Sequence, residues 1–305
     1  MSEAPVLIGV DWGTSSFRAY LINAEGGVID SISTPEGILS VNENDFESTF
    51  ERLIGHWLQG YPALPIVLSG MITSRNGWFE IDYVPVPAEI FELASAMVEF
   101  ETIKGRKLHF ATGLAILDDG KTPDVMRGEE TELIGQFCQH DSDGIFLLPG
   151  THSKWVRVED RRILEFETYM TGEVFALLKQ HSILGKFMTA DSHSAEAFDR
   201  GVKWRAESSH SILHTLFSVR TLPLFEQMAT QDVADYLSGL LIAEEIMGAL
   251  ATRQAISEVT VIGRGDLADR YCRALELMGK SATVVDQGLV ARGHYELALQ
   301  RGLIT

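Results

Sequence analysis

Cysteine is almost absent. Cys138 and Cys272 are the only two in 305 residues, too few for a disulfide framework or a structural zinc site, and a reducing cytoplasm is the expected compartment. Positive charge is scarce too: 25 Lys and Arg stand against 43 Asp and Glu, for a formal charge of −18. Nucleic acids and anionic membranes demand a basic footprint, so neither is an expected partner. An anionic ligand would have to be met by a metal ion, a few placed Arg or Lys side chains and backbone donors. The first apolar run, Val6 to Val10, is too short for a signal or a membrane span, and secretion is not expected. The scattered histidines form no metal cluster, so no transition-metal site is expected. GxxxxGK[ST] is missing, which excludes a P-loop as a motif.

What is present is an enzyme-sized globular chain. Hydrophobic residues make up 45% and charged residues 22%, ordinary globular usage, and the length suits two domains. Val6-Leu7-Ile8-Gly9-Val10 has the continuous hydrophobicity of a strand buried on both faces. It stops at Asp11-Trp12-Gly13-Thr14-Ser15-Ser16 and resumes at Phe17 to Ile22, a hairpin whose tip suits a metal-bound phosphate. Gly13 lets a backbone approach a ligand, Thr14, Ser15 and Ser16 bring donors, and Asp11 can hold a hydrated magnesium ion. An ordinary tight turn reads the same way, with Asp11 capping it.

Further along, the pattern predicts a strand at Val28 to Ser33, a helix from Asp45 to Gln59 with Asn44 as N-cap, and a strand at Leu64 to Leu68. After a strand at Lys107 to Thr112, a domain boundary is placed near Gly113. Helix Glu129 to Gln139 leads to strand Gly144 to Leu148, which ends at Pro149-Gly150-Thr151-His152-Ser153-Lys154. Strands Trp155 to Val158 and Ile163 to Tyr169 follow around the charged turn Glu159 to Arg162, so the small-residue hairpin tip recurs. Helices are expected at Thr171 to Ser182, through Thr189 to Leu222, and at Gln231 to Arg253, the last read mainly as core. Strands at Val259 to Ile262 and Ala282 to Val285 flank a helix at Leu267 to Met278, and helix Leu289 to Arg301 closes the chain.

Gly263-Arg264-Gly265-Asp266-Leu267-Ala268 fits GxGxxA, with Asp286 after the next strand. Too little chain remains for the further βαβ units of a dinucleotide fold. What survives is glycine N–H groups at a helix N-terminus, suited to a phosphate or to the adenosine side of a nucleotide.

These three small-residue elements resemble the phosphate and adenosine elements of the actin-like ATPase superfamily. Within it the chain resembles the 2-dehydro-3-deoxygalactonokinase family, through Asp11-Trp12-Gly13-Thr14-Ser15, Ser69-Gly70-Met71 with Asn76-Gly77-Trp78, Val125 to Gly135 (VMRGEETELIG), Leu148 to Val156 (LPGTHSKWV), Met170-Thr171-Gly172-Glu173 and Ser238 to Ile242. The resemblance implies an α/β fold of two ribonuclease-H-like domains flanking a nucleotide cleft, residues 1–112 and 113–288, with helix 289–305 packing back on the first. It implies transfer of the ATP γ-phosphoryl group to the 6-hydroxyl of 2-dehydro-3-deoxygalactonate, with ATP and Mg2+ as cofactors. Thr14, Ser15, Thr151 and Ser153 would contact phosphates beside Gly13 and Gly150, with Gly263 and Gly265 on the adenosine side. Asp11 would stand beside magnesium.

Glu129 is the expected base, although a carboxylate there also suits a helix N-terminus. Met71, Arg75, Asn76, Trp78, Arg127 and Glu130 are the expected substrate contacts, with Arg127 and Arg75 for the substrate carboxylate. Arg75 fits a solvated surface equally well, Trp78 fits the core, and Lys154 either neutralises phosphate or points to water. A kinase for another 2-keto-3-deoxy sugar acid, a non-catalytic nucleotide-dependent sugar-acid sensor, and a homodimer all stay open.

Overall fold

The structure, a computed structural model, describes residues 4–117, 120, 122–139, 143–188, 193–251, 256–263, 265–285 and 289–305. Of the residues singled out in the sequence, Thr189, Arg253, Arg264 and Asp286 lie outside the described residues. By internal contacts the chain divides into unit 1 (Met1–Asp143, Val158–Phe166, Gln287–Thr305) and unit 2 (Gly144–Arg157, Glu167–Asp286).

In chain order, the elements up to residue 139 are β1 (Pro5–Trp12), β2 (Phe17–Asn23), β3 (Val28–Thr34), α1 (Phe46–Gly60), β4 (Ile66–Ser69), β5 (Val84–Pro85), α2 (Ile90–Ser95), β6 (Val98–Glu101), β7 (Lys107–Phe110), β8 (Leu114–Ile116), β9 (Asp124–Met126) and α3 (Glu129–Gln139). Among the described residues the main sheet runs β3-β2-β1-β4-β7-β6, and β5-β8-β9 make a small separate sheet. β1 and β4 are central and parallel, which is why both are buried and apolar until their carboxyl ends, where Asp11 lies opposite Ser69 in register. The exposed edge strand β3 is correspondingly polar.

α1 buries the stripe Phe46, Phe50, Ile54, Trp57 and Leu58 against this sheet, each such side chain contributing roughly 1.5–3 kcal/mol. Its N-cap is Asp45, whose carboxylate accepts the Ser48 N–H at 3.1 Å. Asn44, expected in that place, adopts a left-handed φ of 59° and closes the preceding turn instead.

The remaining elements are β10 (Gly144–Leu148), β11 (Ser153–Glu159), β12 (Arg162–Tyr169), α4 (Thr171–His181), α5 (Ala195–Glu207), α6 (Ile212–Thr215), α7 (Ser218–Leu224), α8 (Val233–Ala251), β13 (Glu258–Ile262), α9 (Gly265–Leu277), β14 (Ser281–Val285) and α10 (Leu289–Arg301). The second sheet runs β12-β11-β10-β13-β14. Its charged turn places both Asp160 and Arg161 at positive φ, the backbone of a primed hairpin turn. α10 packs on α3 and β1 within unit 1. α8 is apolar nearly all round because it is buried nearly all round.

The α5–α8 crossing is close enough to exclude side chains at its centre. A Cβ on Gly239 would lie 2.2 Å from the Phe198 carbonyl, and one on Gly201 2.3 Å from that of Tyr236. Gly239→Ala is therefore expected to destabilise unit 2 by about 1–3 kcal/mol. Gly55→Ala, inside α1 with nothing within 4 Å of the added carbon, is expected to stabilise by about 0.5–1 kcal/mol. Urea unfolding of both variants checks the pair; equal midpoints would contradict the packing.

Candidate active site

The carboxyl ends of β1 and β4 form the candidate site of unit 1. Asp11 faces Arg18 across the β1–β2 ladder, and their side chains pair at 3.1 Å. Gly70 follows β4 at φ 89°. A Cβ there would come within 2.9 Å of Asp11 Oδ1, and a Cβ on Gly128, at φ 112°, within 3.3 Å of the Gly70 Cα. The Asp11 carboxylate, the Gly70 backbone and the start of α3 therefore meet at one place, where parallel strands usually present their ligands.

The first hairpin tip is held from behind. Gly13 N–H donates to the Ser16 carbonyl at 2.9 Å, and its own carbonyl accepts from Ile38 N–H at 3.0 Å. Trp12 Nε1–H donates to the Glu36 carbonyl at 2.9 Å. Gly37 presses against the backbone of Thr14 and Ser15, whose side chains are exposed.

At the start of α3, Arg127 N–H donates to Glu129 at 2.9 Å and Gly128 N–H to Glu130 at 2.7 Å. The two carboxylates cap the same turn but differ in environment. Glu129 is half-buried, whereas Glu130 is 1% exposed. Burial, then the neighbouring Glu129 charge, pushes the Glu130 carboxyl up to about 8. Glu130, expected to touch substrate, is instead sealed beneath the turn.

Arg127 also departs from its expected role. Its guanidinium donates to Thr73 Oγ1 at 2.6 Å and the Ile81 carbonyl at 2.7 Å, and stacks 4.1 Å from the Tyr83 ring centroid. Thr73 donates in turn to the Gly70 carbonyl at 3.1 Å, so Arg127 anchors the segment after β4. Trp78 is half-buried and packs on the core, among Phe46, Phe50, Phe100 and Phe110 with centroids 5.6–6.4 Å apart. Met71 packs on the same core. Arg75 and Asn76 are exposed on the turn that follows. Behind the site, Ser69 Oγ lies 2.8 Å from His294 Nε2, and full burial pushes that imidazole down to about 3, keeping it neutral.

Unit 2 holds a cavity of about 760 Å³. Gly150 and Thr151 reach it from the β10–β11 tip, Thr171, Gly172 and Phe175 from α4, Asp235 and Ser238 from α8, and Asp266 and Arg270 from α9. Arg270 is clamped by Asp235 at 2.6 Å and Asp266 at 2.7 Å. The β13–α9 turn adjoins the cavity: a Cβ on Gly263 would touch Pro149 at 3.5 Å, and Gly265 opens α9 at φ 64°. Ser153, expected at a phosphate, is fully buried with its hydroxyl 2.9 Å from that of Tyr271. Lys154 is buried as well, its ammonium 3.4 Å from the His152 carbonyl; it does not point to water.

Arg18, Thr73, Asp235 and Arg270 went unforeseen. For Arg270 the i,i+4 spacing from Asp266 was an available signal, and for Asp235 its position in a long apolar helix. Arg18 and Thr73 carried none. Among the described residues, no group of three or more His, Cys, Asp or Glu could hold a metal ion. No described helix is long and apolar enough to cross a membrane.

Comparison with known proteins gives a consistent picture. A family model described as 2-keto-3-deoxy-galactonokinase matches residues 11–297. The Escherichia coli (strain K12) 2-dehydro-3-deoxygalactonokinase is 32% identical over 278 residues, covering 91% of this chain and 92% of that protein. A Rhizobium meliloti (strain 1021) protein provisionally given the same name is 38% identical over 293 residues, covering 94% of each. A Sinorhizobium meliloti crystal structure, titled as a candidate for that enzyme, superposes with a TM-score of 0.89 at 36% identity, covering 96% of this chain and 98% of that one. The activator of 2-hydroxyisocaproyl-CoA dehydratase from Clostridium difficile, at 11% identity and TM-score 0.52 over 97% of this chain and 96% of its own, shares the fold alone. The fold is the α/β, two-domain actin-like ATPase fold expected from the sequence.

Glu130→Gln keeps an oxygen for the Gly128 N–H but removes the titration. The carboxyl ionises near 4.5 when unfolded and at about 8 when folded. The unfolded state alone loses its proton between those values, so wild-type stability drains as pH rises, by at most about 1.4 kcal/mol per unit. The variant's advantage in urea midpoint is expected to grow from pH 5 to pH 8; a constant difference would contradict the buried neutral carboxyl.

Proposed function

The chain belongs to the 2-keto-3-deoxy-galactonokinase family, and on that premise we propose how its residues carry out ATP-dependent phosphorylation of 2-dehydro-3-deoxygalactonate in galactonate catabolism. The acceptor is the 6-hydroxyl, and the enzyme works in the cytoplasm, for which the scarcity of cysteine is the support. Phosphoryl transfer asks for alignment and charge neutralisation more than covalent chemistry. One observation carries the assignment: Asp11, Gly70 and the start of α3 converge at the carboxyl ends of β1 and β4.

Glu129 orients the sugar hydroxyl and takes its proton. Of the two carboxylates capping α3 it is the one that reaches the surface, whereas Glu130 is sealed beneath the turn. Orientation is the larger part of its role, since phosphoryl transfer asks mainly for alignment. In this state its carboxylate rests on the Arg127 N–H; catalytic groups commonly tighten onto the acceptor only when substrate is bound.

Arg75 receives the substrate carboxylate, because the Arg127 guanidinium is committed to Thr73, Ile81 and Tyr83 while Arg75 is exposed on the turn after Gly70. Asn76 stands beside it for a sugar hydroxyl. The cavity of unit 2 takes the nucleotide, with Gly150 and Thr151, which line it, at its phosphate side, and Gly263 and Gly265 on the adenosine side.

A magnesium ion fits Asp11: a single hard carboxylate at a strand end, with no protein cage among the described residues, suits a cation held otherwise by phosphate oxygens and water. Bound there, the ion would neutralise charge on the transferring phosphate.

Steady-state kinetics separate these roles. Glu129→Gln is expected to lower kcat by about 10²- to 10⁴-fold with folding intact. Arg75→Ala is expected to raise KM for the sugar acid about 10- to 100-fold, the worth of a charge-assisted hydrogen bond, while leaving KM for ATP unchanged. Near-normal turnover in the first, or an effect of the second on ATP, would remove the corresponding assignment.

A further inference from the structure

α8 is apolar nearly all round, yet it carries a fully buried carboxylate, Glu245, 2% exposed. Such a group is costly unless every lone pair is matched. Glu245 is matched by donors from three other elements. Trp155 Nε1–H of β11 donates to Oε1 at 2.8 Å and the Tyr271 hydroxyl of α9 to Oε2 at 2.6 Å. The Thr171 hydroxyl, at the first position of α4, bonds the carboxylate as well. The Ser153 hydroxyl lies 2.9 Å from that of Tyr271 and bonds the carboxylate as well. Burial pushes the Glu245 carboxyl upward, and these hydrogen bonds pull it back.

The partners of this carboxylate are not scattered through the core. Thr171 and Tyr271 line the cavity of unit 2, and Ser153 lies two residues beyond Thr151, which also lines it. The link from Thr171 to the tip is tight: a Cβ on Gly172 would lie 2.5 Å from the Gly150 carbonyl, and Glu173 N–H donates to the Thr151 carbonyl at 3.0 Å. A shift of Thr171 or Ser153 therefore moves Gly150 and Thr151.

We propose that Glu245 is a positioning residue for ATP: without touching the nucleotide, it fixes the β10–β11 tip, the start of α4 and the face of α9 in the arrangement that receives the phosphates. This rests on the cavity of unit 2 being the nucleotide site. An isosteric apolar residue would fill the same volume, but only an acceptor with two oxygens aligns donors from three elements.

The test is nucleotide affinity, which a merely structural role would not move in the folded fraction. ADP binding is titrated directly, and KM for ATP, KM for the sugar acid and kcat are measured on wild type, Glu245→Gln and Tyr271→Phe. Each variant is expected to weaken ADP binding and raise KM for ATP about tenfold, near 1.4 kcal/mol, with KM for the sugar acid and kcat within about twofold. The double variant should be no worse than the more severe single one. Tyr271→Phe keeps the ring and removes the hydroxyl that donates to Glu245 and meets Ser153, so it carries the test if Glu245→Gln does not fold. Wild-type ADP affinity in the folded variants, with loss confined to thermal stability, would overturn the positioning role. Failure of the wild-type protein to bind ADP would overturn the nucleotide site beneath it.

Discussion

A side chain at position 70 would collide with Asp11 and the Trp12 carbonyl, one at position 128 would press on Gly70, and this end of unit 1 is arranged around that lack of space. β1 and β4 run parallel at the centre of the sheet, so their ends arrive together, with Asp11 opposite Ser69. Gly70 then turns the chain at a positive φ that few other residues tolerate. Arg127 holds the far side of this turn through Thr73, and the neutral His294 braces Ser69 from behind. Asp11 is held in turn by its ion pair with Arg18, and Glu129 by the Arg127 N–H.

Two buried carboxylates, one in each unit, do related work. Glu130 secures the Gly128 N–H under the first turn of α3, and Glu245 gathers donors from β11 and α9. Neither is placed to meet a ligand. Both illustrate that a buried charge-bearing group acts through the geometry it imposes, since its desolvation offsets much of the energy of its hydrogen bonds. The net charge of −18 sharpens the point: cations are scarce, yet the guanidinium of Arg127 is used inside, while Arg75 is exposed.

Long periodic segments were legible from the sequence. Helices Glu129–Gln139 and Leu289–Arg301 and strand Gly144–Leu148 begin and end where their apolar patterns do, and the small-residue tips at Gly13 and Gly150 fall at strand ends. The stretch between Val84 and Met126 was largely opaque, because its strands are two to four residues long and so short a run carries no period. Side-chain direction was the other blind spot. Ser153 and Thr151 are chemically alike two positions apart, yet the first joins the core through Tyr271 while the second faces the cavity. Arg127 sits in a stretch rich in binding-type residues, but its partners, Thr73 and Ile81 among them, are distant in sequence and could not be anticipated, whereas core packing of Trp78 was one of the two readings its residue type offered.

The regiochemistry of the product tests the central claim most directly. Phosphorus NMR of the product formed from ATP and 2-dehydro-3-deoxygalactonate should show one phosphomonoester on the primary 6-hydroxyl, formed in step with ADP. No ADP from this sugar acid, or turnover confined to gluconate or glycerol, would contradict the account.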